Sequence, residues 1–323
     1  MSTVASGPGA AGAPTDPSDV TGSRRRRGGL VWSIFRSRPQ AAIGGTVLLL
    51  TILVAIFAPW LAPYGPREKV GPPFAPPSSE FPLGLDDGGI DMLSLIIYGS
   101  RVSLIVGFAA AAVAMLIGGA VGILAGYFGG KTDVALMRVT DYFLVIPDVP
   151  LMIVIAAIWG RSLTNIILII GIIYWTGTAR IIRAQVKSVR ERVYVRRAQA
   201  VGASDSRIIL RHVLPQVAPL LVANTVLTVA IAIFAETALA FLGLGDPSLI
   251  SWGRLIENAF VSNAISVDAW WAIAPPGIAV AVVILACTLL GTAIEDALNP
   301  RLRVGHLSVR RFRLRPMPSK DTV

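Results

Sequence analysis

Six apolar runs, each close to the length that crosses a bilayer, constrain the fold of this 323-residue chain more than any other feature. A membrane-spanning helix needs about 20 consecutive, mostly apolar residues. The runs cover residues 41–61, 102–127, 134–159, 163–179, 219–242 and 270–294. Because the backbone hydrogen bonds of a segment in lipid must be satisfied internally, each run is expected to be helical. The sequence therefore predicts an all-α integral membrane protein with six transmembrane helices.

The composition of the chain is typical of a protein that resides in lipid. Hydrophobic residues make up 54% of the chain and charged residues 15%, whereas soluble domains average about 25% charged residues. The net charge of +10 does not predict a nucleic-acid partner, because the basic residues lie between apolar runs and not on a soluble scaffold. The single cysteine, Cys287, excludes an intrachain disulfide and is expected to be a packed thiol.

The distribution of lysine and arginine predicts the orientation in the membrane. If the N-terminus is cytoplasmic, that side of the membrane carries 24 of these residues and the other side carries five. Cytoplasmic loops are enriched in lysine and arginine. The expected topology therefore places both termini in the cytoplasm (N-in/C-in), with the chain crossing the cytoplasmic (inner) membrane several times.

The same patterns divide the chain into five parts. Residues 1–28 are expected to form a disordered cytoplasmic tail, and they lack the apolar core of a secretory signal. Residues 29–62 are expected to contain the N-terminal segment and the first transmembrane helix. Residues 63–99 predict a proline-rich extracytoplasmic loop that is ordered but irregular. Residues 100–300 predict a five-helix core with a short interfacial helix within residues 243–269, and residues 301–323 predict a basic cytoplasmic tail.

The stretch AGYFGGKT at residues 125–132 satisfies a relaxed phosphate-loop pattern. A working phosphate loop lies between a β-strand and a helix, with its backbone N–H groups directed at the phosphates. Here the stretch follows a long apolar run that is expected to be helical, and no apolar strand ending in aspartate supplies a magnesium ligand. A tight turn between helices is the better interpretation, and no nucleotide, metal or other cofactor is expected on this chain.

The second apolar run carries small residues at every fourth position. Small side chains at this spacing share one helix face and allow another helix to approach closely. The stripe therefore predicts a close contact between two helices. Its members are Ala110, Ala114, Gly118, Gly122 and Gly126.

The longest predicted cytoplasmic connection, residues 180–216, has the core VRRAQAVGASDSRIILRHVLP at residues 195–215. One short helix is expected to end near Gly202, because glycine readily adopts the left-handed cap conformation. Ser204 or Asp205 is expected to N-cap the next helix, and Pro215 marks its junction with the fifth transmembrane helix. Two short helices that carry several arginines predict a docking surface. A solvated basic loop near anionic lipid also fits this pattern.

The same core resembles the EAA loop of ABC-importer permeases, in which Glu-Ala-Ala precedes a glycine and a later Ile-x-Leu-Pro. The positions that match in register are Ala198, Gly202, Leu214 and Pro215. Arg196 and Arg197 stand at the positions of the glutamate and the first alanine, and His212 stands at that of the isoleucine. This reversal of charge predicts a partner with a locally acidic groove. The residues expected to form the coupling loop are Arg196, Arg197, Ala198, Gly202, Ala203, Ser204, Asp205, His212, Leu214 and Pro215.

Four further blocks resemble the C-type subunit of dipeptide and oligopeptide permeases, and the whole resemblance covers about residues 35–303. The blocks are FPLGLDDGGIDMLSLIIYGSRVSLIVG (81–107), AGYFGGKTDVALMRVTDYFLVIPDVPL (125–151), ETALAFLGLGDPSLISWG (236–253) and GTAIEDALNPRLR (291–303). The last block departs from the usual Gly-Asp-Gly-Leu-Arg-Asp-Ala-Leu-Asp-Pro. The resemblance implies a type I ABC-importer permease fold with a cytoplasmic coupling helix.

The resemblance also implies partners and a cargo. A distinct second permease would pair with this chain around a central path, two separate ATPase subunits would bind ATP and Mg²⁺, and an extracytoplasmic binding protein would deliver the cargo. The chain would then be a transport subunit and not an enzyme. The implied cargo is a di- or oligopeptide, with nickel or another small chelate as the alternative. An ion-coupled secondary transporter is a further alternative, but it calls for a coupling site near the membrane midplane.

Charged side chains inside the predicted spans are costly in lipid and usually face protein or water. Glu236 in the fifth span and Asp148, between two prolines of a kinked third span, are therefore candidates for a translocation path. For Glu236 a structural role, accepting a hydrogen bond from a neighbouring helix, is the favoured interpretation. Arg138 and Asp141 lie three residues apart and are expected to form a local ion pair.

Overall fold

The computed structural model describes residues 38–298, and the predicted tails at 1–28 and 301–323 lie outside this range. Within it the regular structure is helical. The helices are α1 (Pro39–Ile56), α2 (Ala58–Leu61), α3 (Met92–Phe128), α4 (Gly130–Val145), α5 (Asp148–Trp159), α6 (Leu163–Arg190), α7 (Val193–Ala200), α8 (Asp205–Ile208), α9 (Leu214–Phe241), α10 (Trp252–Val261) and α11 (Ala274–Leu298).

Five helical segments in residues 38–298 are long and apolar enough to cross a membrane. Three of them are α1, α3 and α6. A fourth is the continuous run Asp205–Phe241, in which α8 passes through a π-helical turn at Ile209–Val213 into α9. The fifth, Trp270–Leu298, consists mainly of α11. The apolar runs at 41–61, 102–127, 163–179, 219–242 and 270–294 therefore each coincide with one of these segments.

The third apolar run is broken, and the expectation of one kinked helix over 134–159 is wrong. Helices α4 and α5 meet at an angle of 88°. The break falls at Ile146 and Pro147, which adopt extended backbone conformations (ψ 128° and 126°). Proline disfavours the helical conformation in the residue before it and clashes with the preceding turn. Together α4 and α5 amount to a sixth span only if the bent pair is counted as one.

Two helices extend well beyond their apolar runs. Helix α3 begins at Met92, where Asp91 accepts a hydrogen bond from the Ser94 backbone N–H at 2.8 Å and so caps the helix. The helical core therefore starts eight residues before the predicted boundary at 100. Helix α6 continues to Arg190 with an increasingly charged sequence, which places the start of the 195–215 segment close to the end of a long rigid helix.

Helices α3 and α6 form the most extensive helix pair of the described chain. All five small residues of the stripe in α3 are buried. A Cβ atom added to Gly122 would lie 2.7 Å from the carbonyl oxygen of Ala179, and one added to Gly126 would lie 2.8 Å from that of Arg183. The backbones of the two helices thus approach so closely at these glycines that side chains do not fit between them.

The connection from α2 to α3 is irregular, with isolated β-bridges joining Lys69 to Ile90 and Leu85 to Asp91. It is held to the other end of the chain, since the Trp271 indole N–H donates to the Leu85 carbonyl at 3.2 Å. The connection from α9 to α11 contains the short helix α10, whose first residues pack into the core formed with α3 and α11.

Candidate functional site

The segment at residues 195–215, hereafter the coupling segment, begins on α7. This helix ends in a Schellman motif at Gly202, whose φ of +80° is the left-handed conformation. The Gly202 N–H donates to the Gln199 carbonyl and the Ala203 N–H donates to the Ala198 carbonyl, both at 3.0 Å. Ala198 and Ala203, the two positions that form the hydrophobic contact of this motif, both pack against the same hydrophobic cluster. The expected end of a helix near Gly202 is confirmed.

The next helix begins where expected, with Ser204 at the N-cap position. The side chain of Ser204, however, makes no capping hydrogen bond. Asp205 instead accepts a hydrogen bond from the hydroxyl of Tyr127 at 2.7 Å. Tyr127 lies in the last turn of α3, so this bond ties the coupling segment to the membrane helix that carries the small-residue stripe. Residue spacing gave no signal for Tyr127, because the contact joins positions 78 residues apart.

A widened turn within the coupling segment leads into α9. Residues Ile209–Val213 form a π-helical turn, and α9 follows with Leu214 and Pro215 in its first turn. A proline inside a continuing helix lacks the N–H donor and clashes with the carbonyl four residues earlier. The π turn lies directly before Pro215 and widens the helix where that clash would occur. Pro215 therefore marks a change of helix type and not an interruption of the helix.

One side of the coupling segment is anchored in the protein. Three fully buried side chains of the segment, Val195, Ile208 and Val213, belong to a hydrophobic cluster with residues near the end of α6. Val217, two residues beyond the segment, is buried in the same cluster. Because the cluster spans both short helices, α6 and α9, the segment is held as a rigid part of the chain.

The other side of the segment is exposed and mixes apolar with basic groups. Val201 is 84% exposed and Leu210 is 65% exposed. The exposed arginines around them are Arg192, Arg196, Arg197, Arg207 and Arg211. Beside them, the rings of Tyr194 and His212 lie 6.1 Å apart. We call these residues, which include the half-buried His212 and, just before the segment, Arg192 and Tyr194, the docking face.

The arginine at the first position of the EAA-like pattern has a partner within the chain. Arg196 forms an ion pair with Glu191, which follows the last residue of α6. The guanidinium lowers the pKa of the exposed Glu191 carboxyl through this hydrogen bond. Arg197, the next residue, is exposed without an ion pair among residues 38–298. Glu191 thus balances the charge of Arg196, whereas Arg197 remains exposed to the surroundings of the chain.

A cluster of charged side chains joins the start of α4 to the end of α6, and residue spacing did not predict it. Asp133 in the first turn of α4 accepts hydrogen bonds from Arg183 through both carboxylate oxygens, and a third from Lys187 Nζ at 2.6 Å. The carboxylate therefore clamps the start of α4 to the end of α6. The local ion pair expected between Arg138 and Asp141 is not formed; Asp141 binds Arg180 instead, at 2.6 Å.

The phosphate-loop-like stretch is a turn between two helices. Helix α3 ends at Phe128, and α4 begins at Gly130. Gly129 and Gly130 have φ values of +66° and +51°, which suit glycine and few other residues. No strand precedes the stretch within the described residues, so it has the surroundings expected for a tight turn.

The two candidate path residues lie in different surroundings. Glu236 is only 3% exposed, and Oε2 accepts a hydrogen bond from Ser103 Oγ at 3.4 Å. Ser103 Oγ in turn accepts a hydrogen bond from the backbone N–H of Trp252 at 3.2 Å. Through Ser103, the Glu236 carboxyl therefore connects α9 and α3 with the first residue of α10. Asp148 is exposed at the break between α4 and α5 and accepts a hydrogen bond from the Tyr174 hydroxyl at 2.9 Å.

Comparisons with known proteins show the family of the chain. Residues 118–304 match the family described as binding-protein-dependent transport system inner membrane component, and residues 27–77 match the N-terminal TM domain of oligopeptide transport permease C. The chain is 35% identical over 301 residues to the di/tripeptide transport system permease protein DppC of Pseudomonas aeruginosa, which covers 90% of this chain and 96% of that protein.

Two relatives from Bacillus subtilis show a similar extent of likeness. The oligopeptide transport system permease protein OppC is 34% identical over 271 residues, 83% of this chain and 88% of that protein. The dipeptide transport system permease protein DppC is 33% identical over 274 residues, 84% of this chain and 85% of that protein. With a family match over more than half of its length and relatives that align along most of theirs, the chain belongs to the family of binding-protein-dependent transport system inner membrane components.

Proposed function

We propose that this chain is the C-type permease subunit of an ATP-driven importer that moves di- and oligopeptides inward across the cytoplasmic membrane. The names of its relatives support a peptide cargo. The observation that carries the mechanism is the coupling segment, in which a Schellman turn at Gly202 and a buried hydrophobic cluster hold an exposed docking face in a fixed position.

In the proposed topology the chain crosses the membrane six times with both termini in the cytoplasm. The bent pair of α4 and α5 counts as one broken span. The excess of lysine and arginine around the coupling segment then lies on the cytoplasmic side, as the positive-inside rule requires. This orientation presents the docking face to soluble cytoplasmic partners.

The docking face seats in a cleft of one of two ATPase subunits. Its chemistry calls for a cleft with an apolar floor, which accepts Val201 and Leu210, and an acidic rim, which faces the surrounding arginines. ATP and Mg²⁺ bind to the ATPases. Because the segment is anchored on both α6 and α9, movement of the ATPases is transmitted to two membrane helices at once.

A second, distinct permease completes the translocation path. Asp148 lies on a stretch of exposed residues at the α4–α5 break. Non-helical backbone inside a membrane is tolerated only where it contacts protein or water, which supports a water-filled path at this break. Its carboxylate is placed to meet the ammonium group of a peptide delivered by the binding protein. Glu236 acts beside this path as a buried acceptor that holds α10 against α3 and α9.

Purification of the chain from its native membrane in mild detergent tests the proposal. We expect a second permease and ATPase subunits to co-purify, and the complex in proteoliposomes to accumulate a labelled dipeptide when ATP is supplied with a binding protein. Accumulation of nickel but not of peptide would overturn the cargo. Recovery of this chain alone, with no ATP-dependent uptake, would overturn the importer itself.

A further inference from the structure

An apolar groove runs between the end of α1 and the first half of α3. Its volume is about 690 Å³, within the range of small-molecule sites. The groove is lined by Ile52, Ala55, Leu104, Ile105 and Phe108, with Arg101 at one end. The groove is open to the outside of the helices; Ile56 also lines it, and α1 exposes Leu49 and Leu53 in the preceding turns.

Arg101 is the unusual member of this groove. Its Nε donates to the Ala55 carbonyl at 2.7 Å and its Nη2 donates to the Ile56 carbonyl at 3.3 Å, at the last turn of α1. These bonds hold the guanidinium at the mouth of the groove and leave Nη1 without a hydrogen bond in residues 38–298. No carboxylate of the described chain forms an ion pair with Arg101.

Arg101 lies at the start of the apolar run of α3, and arginines near the ends of membrane helices usually extend toward the interface. It also borders a second cavity of about 550 Å³, which is lined in part by Arg67, Glu68 and Ser248. Arg67 donates to the Ser248 carbonyl at 3.2 Å, and the Glu68 carboxylate accepts a hydrogen bond from the Gly65 N–H at 3.0 Å. Two guanidinium groups and one carboxylate thus lie beside the apolar groove at the end of two membrane helices.

We propose that this groove binds a glycerophospholipid, with an acyl chain along Leu104 and Phe108 and the phosphate at Arg101. An acyl chain is the apolar ligand present around such a groove in a bilayer, and a phosphate is the anion that a guanidinium binds through two parallel hydrogen bonds. The lipid supplies the counter-ion that Arg101 lacks within the described chain. The proposal does not depend on the cargo of the transporter.

Native mass spectrometry of the full chain, with the subunits that co-purify, tests this site. We expect one phospholipid to remain bound through detergent washing. Arg101→Gln removes the charge and is expected to lower lipid retention about tenfold, the effect of losing a hydrogen bond to a charged group. Ile105→Trp fills the groove without changing the bonds of Arg101 and is expected to lower lipid retention by excluding the acyl chain. Leu116→Trp is the matched control, because Leu116 is exposed on the same helix but outside the groove.

Addition of defined lipids to the washed complex separates the two parts of the ligand. Phosphatidylglycerol is expected to rebind, whereas diacylglycerol, which has the same chains without the phosphate, and inorganic phosphate alone are not. Equal retention in all variants would overturn the proposal. So would a photo-crosslinking residue at position 105 that labels a second permease and no lipid, because the groove would then be a protein interface.

Discussion

The geometry at Gly202 permits a quantitative prediction. Its φ of +80° is unfavourable for other L-residues, yet a Cβ added there would have no atom within 4 Å. The cost of substitution therefore comes from the backbone alone. For Gly202→Ala it is about 1–2 kcal/mol, enough to lower the ratio of intact to open turn roughly 5- to 30-fold. A β-branched residue such as valine tolerates positive φ still less well, whereas asparagine tolerates it best.

Two measurements report the effect of this change: the amount of ATPase retained per permease in a pull-down, and ATP-driven peptide uptake in proteoliposomes. Both are expected to fall in the order glycine, asparagine, alanine, valine, while the amount of permease in the membrane stays constant. Gly160→Val is the matched control. Gly160 has a φ of +88° and the same open surroundings, but it lies at the end of α5, far along the chain from the coupling segment.

The reasoning would be refuted by a Gly202→Val variant that retains its ATPases and transports normally. Equal loss of ATPase in the Gly160→Val variant would also contradict it, because backbone strain in general, and not the position of the docking face, would then explain the result.

Three further substitutions test the packing of α3 on α6, the role of Glu236 and the phosphate-loop-like turn. Gly122→Val is expected to force α3 away from the Ala179 carbonyl and to destabilise the subunit by about 1–3 kcal/mol, which lowers its Tm. Gly177→Ala, at an open helical position of α6, is the control and is expected to leave Tm unchanged or higher. Glu236→Gln keeps the acceptor and is expected to change uptake only modestly; an altered cargo preference would place this residue on the path. Lys131→Ala is expected to leave nucleotide binding by the complex and uptake intact, and loss of nucleotide binding would restore the phosphate-loop interpretation.

Hydropathy predicted the membrane segments well because burial in lipid depends on composition summed over about 20 residues. It predicted their ends poorly. Helix α3 begins ten residues before its apolar run and α6 ends eleven residues after its own, because helix formation depends on capping and packing and does not stop at the edge of the lipid. The 88° break in the third span was foreshadowed by Pro147, but the size of a bend depends on what the two halves pack against.

The end of a helix at Gly202 could be predicted from the sequence because glycine adopts the left-handed backbone conformation more easily than other residues. The side-chain contacts of the coupling segment could not be predicted in this way. Asp141 pairs with Arg180 and not with its helical neighbour Arg138, and Asp205 binds Tyr127 and does not cap its own helix. In each case the partner comes from a different helix, and spacing along one helix carries no information about it.

The π turn before Pro215 has a geometric consequence for the helix that contains it. A turn closed by i→i+5 bonds accommodates one more residue than an α-helical turn, and one residue corresponds to about 100° of rotation around the helix axis. The turn therefore sets the azimuth of Ile208 relative to α9. Deleting a single residue from 209–213 would leave the helix almost as long but rotate its two ends relative to each other by about 100°, so one extra residue decides which way the residues before the π turn face.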